Sequence, residues 1–302
     1  MASPAASSGP ASTSKAPARA RRRRCRAWRC SARWTAAWRR WPPGRRAPRC
    51  ASGRPAPRRA APPGAAEAVA ALLDRAAGPV LTEREAKAVL AAYGIPVVTE
   101  TLAADADAAV AAAEAAGYPV VLKVESPDLP HKTEAGVIRL DLRDAAAVRE
   151  AHATILANAA RATPQARING VLVQPMVPAG IEMMVGATRD PLFGPTVLVG
   201  LGGILVELLR DSALALAPVG REEEALDMLG RLKGAKLLDG FRNLPSVDRD
   251  TLAGIVQRVS ELAADHAGRI AEIDVNPVIC AGTRQVAVDA LIALRQPLAP
   301  HG

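Results

Sequence analysis

The chain has 302 residues, enough for one large domain or two small ones around a sizeable core. Its formal charge of +9 is unevenly placed: residues 1–66 carry 17 Lys and Arg and no acid, which leaves 22 basic against 30 acidic residues, net −8, from Glu67 onward. That acidic part excludes a nucleic-acid surface over the domain. Its single cysteine, Cys280, excludes a disulfide framework or a cysteine metal site, and no stretch reaches the roughly 18–20 apolar residues that span a bilayer. A reducing, cytoplasmic setting fits, and the basic N-terminus lacks the apolar run of a secretory signal.

Residues 1–66 hold all four tryptophans and three of the four cysteines in an Arg-, Ala- and Pro-rich mixture without hydrophobic periodicity. Such a segment cannot bury enough apolar surface to offset its ordering entropy, so disorder is expected. Three readings stand. Arg runs interleaved with Trp can bind RNA or an anionic membrane; an Arg-rich, acid-free segment can be a transit peptide; or it is a misplaced start or a frameshift in a GC-rich gene. The abrupt switch to ordinary protein sequence favours the last, which gives the segment no function.

From residue 67 the elements come in order. Residues 67–77 (EAVAALLDRAA) read as a short helix closed by Gly78-Pro79. Thr82 caps a second helix, with Glu85 completing a capping box, and Gly94 ends it. Residues 95–101 are extended, and 104–116 form a helix opened by Asp105 and closed by Gly117. An apolar strand at 119–124 delivers Lys123; 125–136 is a loop, 137–142 a strand and 144–161 a helix. Strands follow at 170–177, 182–188 and 195–199, the last running into Gly200, Gly202 and Gly203. Helices at 221–233 and 248–267 precede two closing strands, 271–275 and 285–289. Strands and helices mix without regular βαβ alternation, which predicts two α+β lobes, about 80–175 and 176–295.

In AEIDVNP, a period of two puts Glu272, Asp274 and Asn276 on one strand face, an oxygen-rich surface suited to Mg²⁺ or simply a solvated sheet face. Asp289, at the end of the return strand, can face the same way. Lys123 marks either a strand end in solvent or a phosphate contact. The glycine run LVGLGGIL offers backbone N–H groups to an anion but matches no phosphate-loop spacing. The loop ESPDLPHKTEAG sets His131 among prolines and charges. It is either an incidental surface histidine or a phosphoryl carrier, since imidazole is a competent nucleophile near neutral pH.

Five blocks in this order, EAKAVLAAYGIPV (85–97), PVVLKVESPDLPHKTEAGV (119–137), VLVQPMV (171–177), RDPLFGPTVLVGLGGILVELLRD (189–211) and EIDVNP (272–277), resemble the β subunit or fused equivalent of ADP-forming acetyl-CoA and acyl-CoA synthetases, in the succinyl-CoA synthetase superfamily. The resemblance implies a two-lobed ATP-grasp fold over residues 67–302, with ATP/ADP and Mg²⁺ as cofactors. It implies that Lys123 holds the α- and β-phosphates, that Gln174, Pro175, Met176 and Val177 form the hinge that reads adenine, and that Glu182 takes the ribose. Gly202 and Gly203 would face the phosphates, Asn276 and Asp289 would bind the metal, and Asp274 would orient a phosphohistidine. His131 looks like the mobile second phosphohistidine, fed by a histidine on a CoA-binding α subunit or fused α domain that also handles CoA and the carboxylic acid. Relatives often have two glycines where this chain has only Gly136 before Val137, which would stiffen the loop. The alternative is a catalytically silent ATP-binding regulatory module of a fused acetyltransferase-type protein.

Overall fold

In the computed structural model, which describes residues 62–129, 135–203, 211–242 and 244–295, the helices starting at Glu83, Ala106, Ala145 and Arg249 begin where a short polar side chain caps them, and those starting at Ala65 and Glu222 do not. Helix α1 (Ala65–Asp74) follows Gly64 without a side-chain cap. Helix α2 (Glu83–Ala92) starts at the predicted capping box, in which Glu85 N donates to Thr82 Oγ1 at 3.3 Å and Thr82 N to Glu85 Oε2 at 2.8 Å. Asp105, Asp144 and Asp248 cap α3 (Ala106–Ala116), α4 (Ala145–Ala162) and α6 (Arg249–Asp265), each side chain accepting from the backbone N–H three residues on, whereas α5 (Glu222–Gly230) has three glutamates in its first turn. Acid near a helix N-terminus satisfies orphan N–H groups and complements the dipole.

The strands form two antiparallel sheets. The first joins β1 (Thr101–Ala103), β2 (Val120–Glu125), β3 (Ile138–Leu142) and β4 (Gly170–Pro175) in the order β1-β4-β2-β3. Helices α3 and α4 pack on it around Val110, Leu122, Ile155 and Val171. The second joins β5 (Ile181–Asp190), β6 (Gly194–Leu201), β7 (Ser212–Leu216), β8 (Ile270–Ala281), β9 (Arg284–Ala287) and β10 (Ala290–Leu294) in the order β10-β8-β5-β6-β7, with β9 also on β8. This mixture of helices with two antiparallel sheets is the α+β class expected. Strands β7 and β10 were not predicted, and the strand expected at 285–289 is realised as β9, which ends at Ala287.

The two cores divide the chain differently from the lobe limits read in the sequence. Residues 65–95, although they precede the first sheet, contribute Val69, Leu73, Val89, Leu90 and Tyr93 to the core of the second. The cause is the amphipathic character of α1 and α2: α1 packs on α2, α2 on β10, and their apolar residues join the core of the second sheet. Polar ties reinforce the placement: Arg258 Nη1 donates to Tyr93 O at 2.7 Å, Tyr93 Oη to Asp265 Oδ2 at 3.0 Å, and Arg269 pairs with Asp74 at 2.6 Å. Among the described residues, no helix is long and apolar enough to cross a membrane.

Strand β8 carries one extra residue where it passes β5. Met183 pairs with Val278 but Val185 with Val275, so Asn276 and Pro277 bulge. Proline has no N–H to give to a ladder, and a bulge re-aims the side chains beside it.

Candidate nucleotide and metal site

Strand β2 is buried along its whole length, Lys123 included, at 4% exposure. Of the two readings of this lysine, a strand end in solvent is therefore excluded. Its Nζ donates to Glu83 Oε1 at 2.7 Å and to Val288 O at 3.1 Å, and lies 4.0 Å from Asp289 Oδ2. A lysine of the first sheet thus reaches the last hairpin of the second. Burial pushes its pKa down, but Asp289 and Glu83 outweigh burial and the net shift is upward, so the ammonium stays charged.

The acidic end of the site is set by strand register. Ala290 pairs with Val275 and Ala287 with Val278, which is one unbroken register on either side of the β9–β10 junction. Val288 N donates to Pro277 O at 3.0 Å in the same register. Asp289 therefore stands directly opposite Asn276, and cross-strand neighbours in an antiparallel pair share a face. Asn276 is exposed and the Asp289 side chain is about one-third exposed. Two oxygen donors open to solvent beside a lysine fit Mg²⁺, which keeps several waters and uses one or two protein ligands together with substrate phosphates. Asp274 lies two residues before Asn276 on the same strand, with Glu272 beyond it, and both are half-buried. Burial raises the pKa of Glu272.

At the other end, Gln174, next to last in β4, is 1% exposed, Pro175, Met176 and Val177 are half-buried, and Met176 N donates to Pro119 O at 2.9 Å. This segment runs from the first sheet to β5, the position of a hinge. Glu182, the second residue of β5, is exposed, and its carbonyl accepts from Gly202 N at 2.6 Å. Gly202 and Gly203 follow β6 directly beneath it, and Gly203 has φ +66°. The glycine run therefore has a structural purpose that its spacing did not reveal: it clears room for Glu182.

His131 lies outside the described residues. The flanks of its loop are tied down: Arg167 binds Asp128 through N, Nε and Nη2, holding that carboxyl below the usual range, while Gly136 O accepts from Asn158 Nδ2 at 2.8 Å and Arg139 Nη1 at 3.1 Å. The histidines at 152 and 266 are both buried, and burial lowers the pKa of each. The Cys280 thiol is pushed up to about 12 by burial and is inert at neutral pH.

Sequence reasoning missed a buried cluster on α2. Lys87 Nζ donates to Glu83 Oε1 at 2.7 Å, to Glu100 Oε2 at 2.6 Å and to Gln174 Oε1 at 3.3 Å. Burial raises the pKa of Glu100, although Lys87 draws it down. Arg84 pairs with the buried Glu125 at 3.3 Å. The signal available was the i,i+4 spacing of Glu83 and Lys87.

A family model for the ATP-grasp domain matches residues 73–294. The chain is 41% identical over 214 residues to the β subunit of acetate–CoA ligase [ADP-forming] I of Pyrococcus furiosus, covering 71% of this chain and 91% of that one. It is 43% identical over 201 residues to 4-hydroxybutyrate–CoA ligase [ADP-forming] of Nitrosopumilus maritimus, covering 67% of this chain but 28% of the relative. Among solved structures, the dinucleotide-forming acetyl-coenzyme A synthetase 1 of Ca. Korarchaeum cryptofilum superposes with TM-score 0.64 at 36% identity, over 76% of this chain and all of the matched chain. That structure holds coenzyme A and Mg-AMPPCP, with its phosphohistidine segment pointing towards the nucleotide-binding site.

Proposed function

The chain belongs to the ATP-grasp family, and from that premise we propose that it is the nucleotide-binding, phosphoryl-transferring part of an ADP-forming acyl-CoA ligase. The whole reaction interconverts acyl-CoA, ADP and phosphate with carboxylic acid, CoA and ATP. The observation that carries the reading is the approach of Lys123 Nζ to Val288 O and Asp289 at 3.1 and 4.0 Å, which unites a phosphate-binding cation of one sheet with an acidic hairpin of the other.

In the step assigned to this chain, His131 carries the phosphoryl on a ring nitrogen. The N–P bond breaks, a terminal β-phosphate oxygen of ADP forms the new P–O bond, and imidazole keeps the electron pair. Lys123 neutralises phosphate charge; Gln174, Pro175, Met176 and Val177 hold the base through the backbone, and Glu182 the ribose. Asn276 and Asp289 would hold Mg²⁺, which when bound screens the polyphosphate charge. Asp274 orients the imidazole. Such a site needs positioning and charge neutralisation more than covalent chemistry. A CoA-binding partner subunit or fused domain supplies the first phosphohistidine and handles CoA and the acid. The β subunit from Pyrococcus, which this chain spans over nine-tenths of its length, supports that division of labour. The silent regulatory module is disfavoured, because such a module has no use for a lysine, a metal pair and a carrier histidine together.

The test is reconstitution. The full chain, mixed with a CoA-binding α half from a related ligase, should make ATP from acetyl-CoA, phosphate and ADP with Mg²⁺. Failure with an α half that is active with its own β subunit would reject the assignment.

A further inference from the structure

Helix α2 owes its place to the second core, yet one face of it is buried against the first sheet. Glu83 is 4% exposed and Lys87 3%, and their partners come from three elements: Lys123 on β2, Gln174 on β4, and Glu100 just before β1. One oxygen, Glu83 Oε1, accepts from both ammonium groups at 2.7 Å. Lys87 in turn touches Gln174, the residue that begins the hinge segment. The chain of contacts Lys123–Glu83–Lys87–Gln174 therefore links the residue assigned to the phosphates with the segment assigned to the base.

Burying four charged side chains is costly, and replacing such a cluster with apolar side chains is often neutral or stabilising. Stability alone gives no reason to keep it. Position does. A lysine side chain has four rotatable bonds and loses much entropy when fixed, so a cation that must stand at one point needs partners to hold it there. Lys123 gives N–H donors to Glu83 and the Val288 carbonyl and lies 4.0 Å from Asp289 Oδ2. Glu83 thus helps to fix where the ammonium stands.

We propose that Glu83 is a positioning residue for the phosphate lysine Lys123, and that Lys87 ties this arrangement to the base-reading hinge through Gln174. The proposal rests on the nucleotide-binding reading above and adds two residues of α2 to it, one for each end of the nucleotide. Without Glu83, two buried ammoniums would face each other across the space it vacates, and Lys123 would be driven from its place.

The experiment compares the affinity of the full chain for Mg-ADP, by calorimetry, with its affinity for adenosine, by NMR titration. Glu83→Gln should weaken Mg-ADP tenfold or more and leave adenosine within twofold, because only the phosphate end is disturbed. Lys87→Met should weaken both. The double variant Glu83→Gln/Lys87→Met removes the like-charge repulsion and regains Tm, but Mg-ADP binding should stay weak, since Lys123 still lacks its anchor. Arg84→Met breaks the neighbouring ion pair to Glu125 and should lower Tm without changing the ratio of the two affinities. Mg-ADP affinity in Glu83→Gln within twofold of wild type, equal losses for the two ligands, or full recovery in the double variant would overturn the proposal. Wild type that binds neither ligand would instead bring down the nucleotide reading, and this proposal with it.

Discussion

Glu182 lies over Gly203 so closely that a Cβ on the glycine would stand 2.4 Å from the carboxylate Oε2, and one on Gly202 would stand 2.8 Å from the Glu182 carbonyl carbon. Gly203 also has φ +66°, where any side chain is strained. Gly203→Ala should therefore cost about 1–2 kcal/mol of stability and displace the carboxylate assigned to the ribose, weakening ADP about tenfold, that is ~1.4 kcal/mol. Gly220, with nothing within 4 Å of an added Cβ, is the control, and Gly220→Ala should change ADP affinity little. Equal ADP affinities in the two variants would separate Glu182 from the nucleotide.

The pairing of Asn276 with Asp289 predicts that nucleotide binding depends on Mg²⁺. Chelation should weaken ADP at least tenfold, and Asn276→Ala should remove most of the Mg²⁺ response while leaving Tm nearly unchanged, because Asn276 is exposed. Calorimetry with and without chelator decides. Tight binding that ignores both chelator and substitution would reject the metal pair.

How far the sequence carried this picture depends on the range of each interaction. Local signals were sufficient where the physics is local. Thr82 and Asp105 cap the helices they were expected to open, Asp144 and Asp248 cap helices whose starts were read at those residues, and Gly94 and Gly117 follow helix ends with φ of 71° and 83°. The alternation in EIDVNP also held, with Ile273 and Val275 buried and Asn276 exposed. Strand β7, SALAL, was too weakly patterned between Asp211 and Ala217 to be read. The Glu83–Lys87–Lys123 cluster was illegible for another reason. Its members are separated by up to 40 residues along the chain and meet only because α2 packs in one core while facing the other sheet. No window of sequence contains that fact.

The buried histidines predict an acid-sensitive fold. His266, 6% exposed and edge-on to Tyr93 with ring centroids 6.1 Å apart, has its pKa lowered below the usual 6.5 by burial. Its folded pKa is therefore below its unfolded one. The stability linked to it is complete above about pH 6.5 and is lost as pH falls through the folded value. The Tm of wild type should fall between pH 7 and pH 5 by more than that of His266→Gln. Parallel Tm profiles for the two proteins would exclude His266 as the sensor.

Residues 1–61 lie outside the described residues, and the acid-free composition of residues 1–66 supports the proposal that they are dispensable. The cut must fall before Ala65, which is 3% exposed in the core, and before Pro62, whose carbonyl accepts from Ala65 N at 3.0 Å. Deletion of 1–61 should leave Tm and ADP affinity unchanged, whereas deletion through residue 66 should lower Tm. A clear loss of either property with the shorter deletion would give the segment a role. With residues 1–61 removed, Cys280 is the only cysteine left, and a native thiol titration should read near zero until denaturant is added.

The carrier role proposed for His131 makes the most specific chemical prediction. The residue lies outside the described residues, but its loop leaves β2 just after the buried Glu125 and rejoins at Gly136, and both flanks are held by side-chain bonds from Arg167, Asn158 and Arg139. Fixed flanks confine the reach of the His131 side chain that the proposed transfer requires. A metal-ligand histidine would need a second histidine or cysteine nearby at ligand spacing, and the sequence around it has none. The two described histidines are poor rivals, since His152 and His266 are buried and held below their usual pKa by burial rather than presented to a ligand. Phosphohistidine is acid-labile and alkali-stable, unlike phosphoserine. The full chain, incubated with Mg²⁺ and γ-labelled ATP, should gain an alkali-stable label that added ADP discharges. His131→Ala should lose the label entirely and bind ATP within about twofold of wild type, because the imidazole is a reactant and contributes little to ground-state binding. Label that survives in His131→Ala, or that disappears instead in His152→Ala or His266→Ala, would sink the mechanism. If the chain alone takes no label, addition of the CoA-binding α half should restore it, and a chain still unlabelled in that complex would leave only the silent module standing.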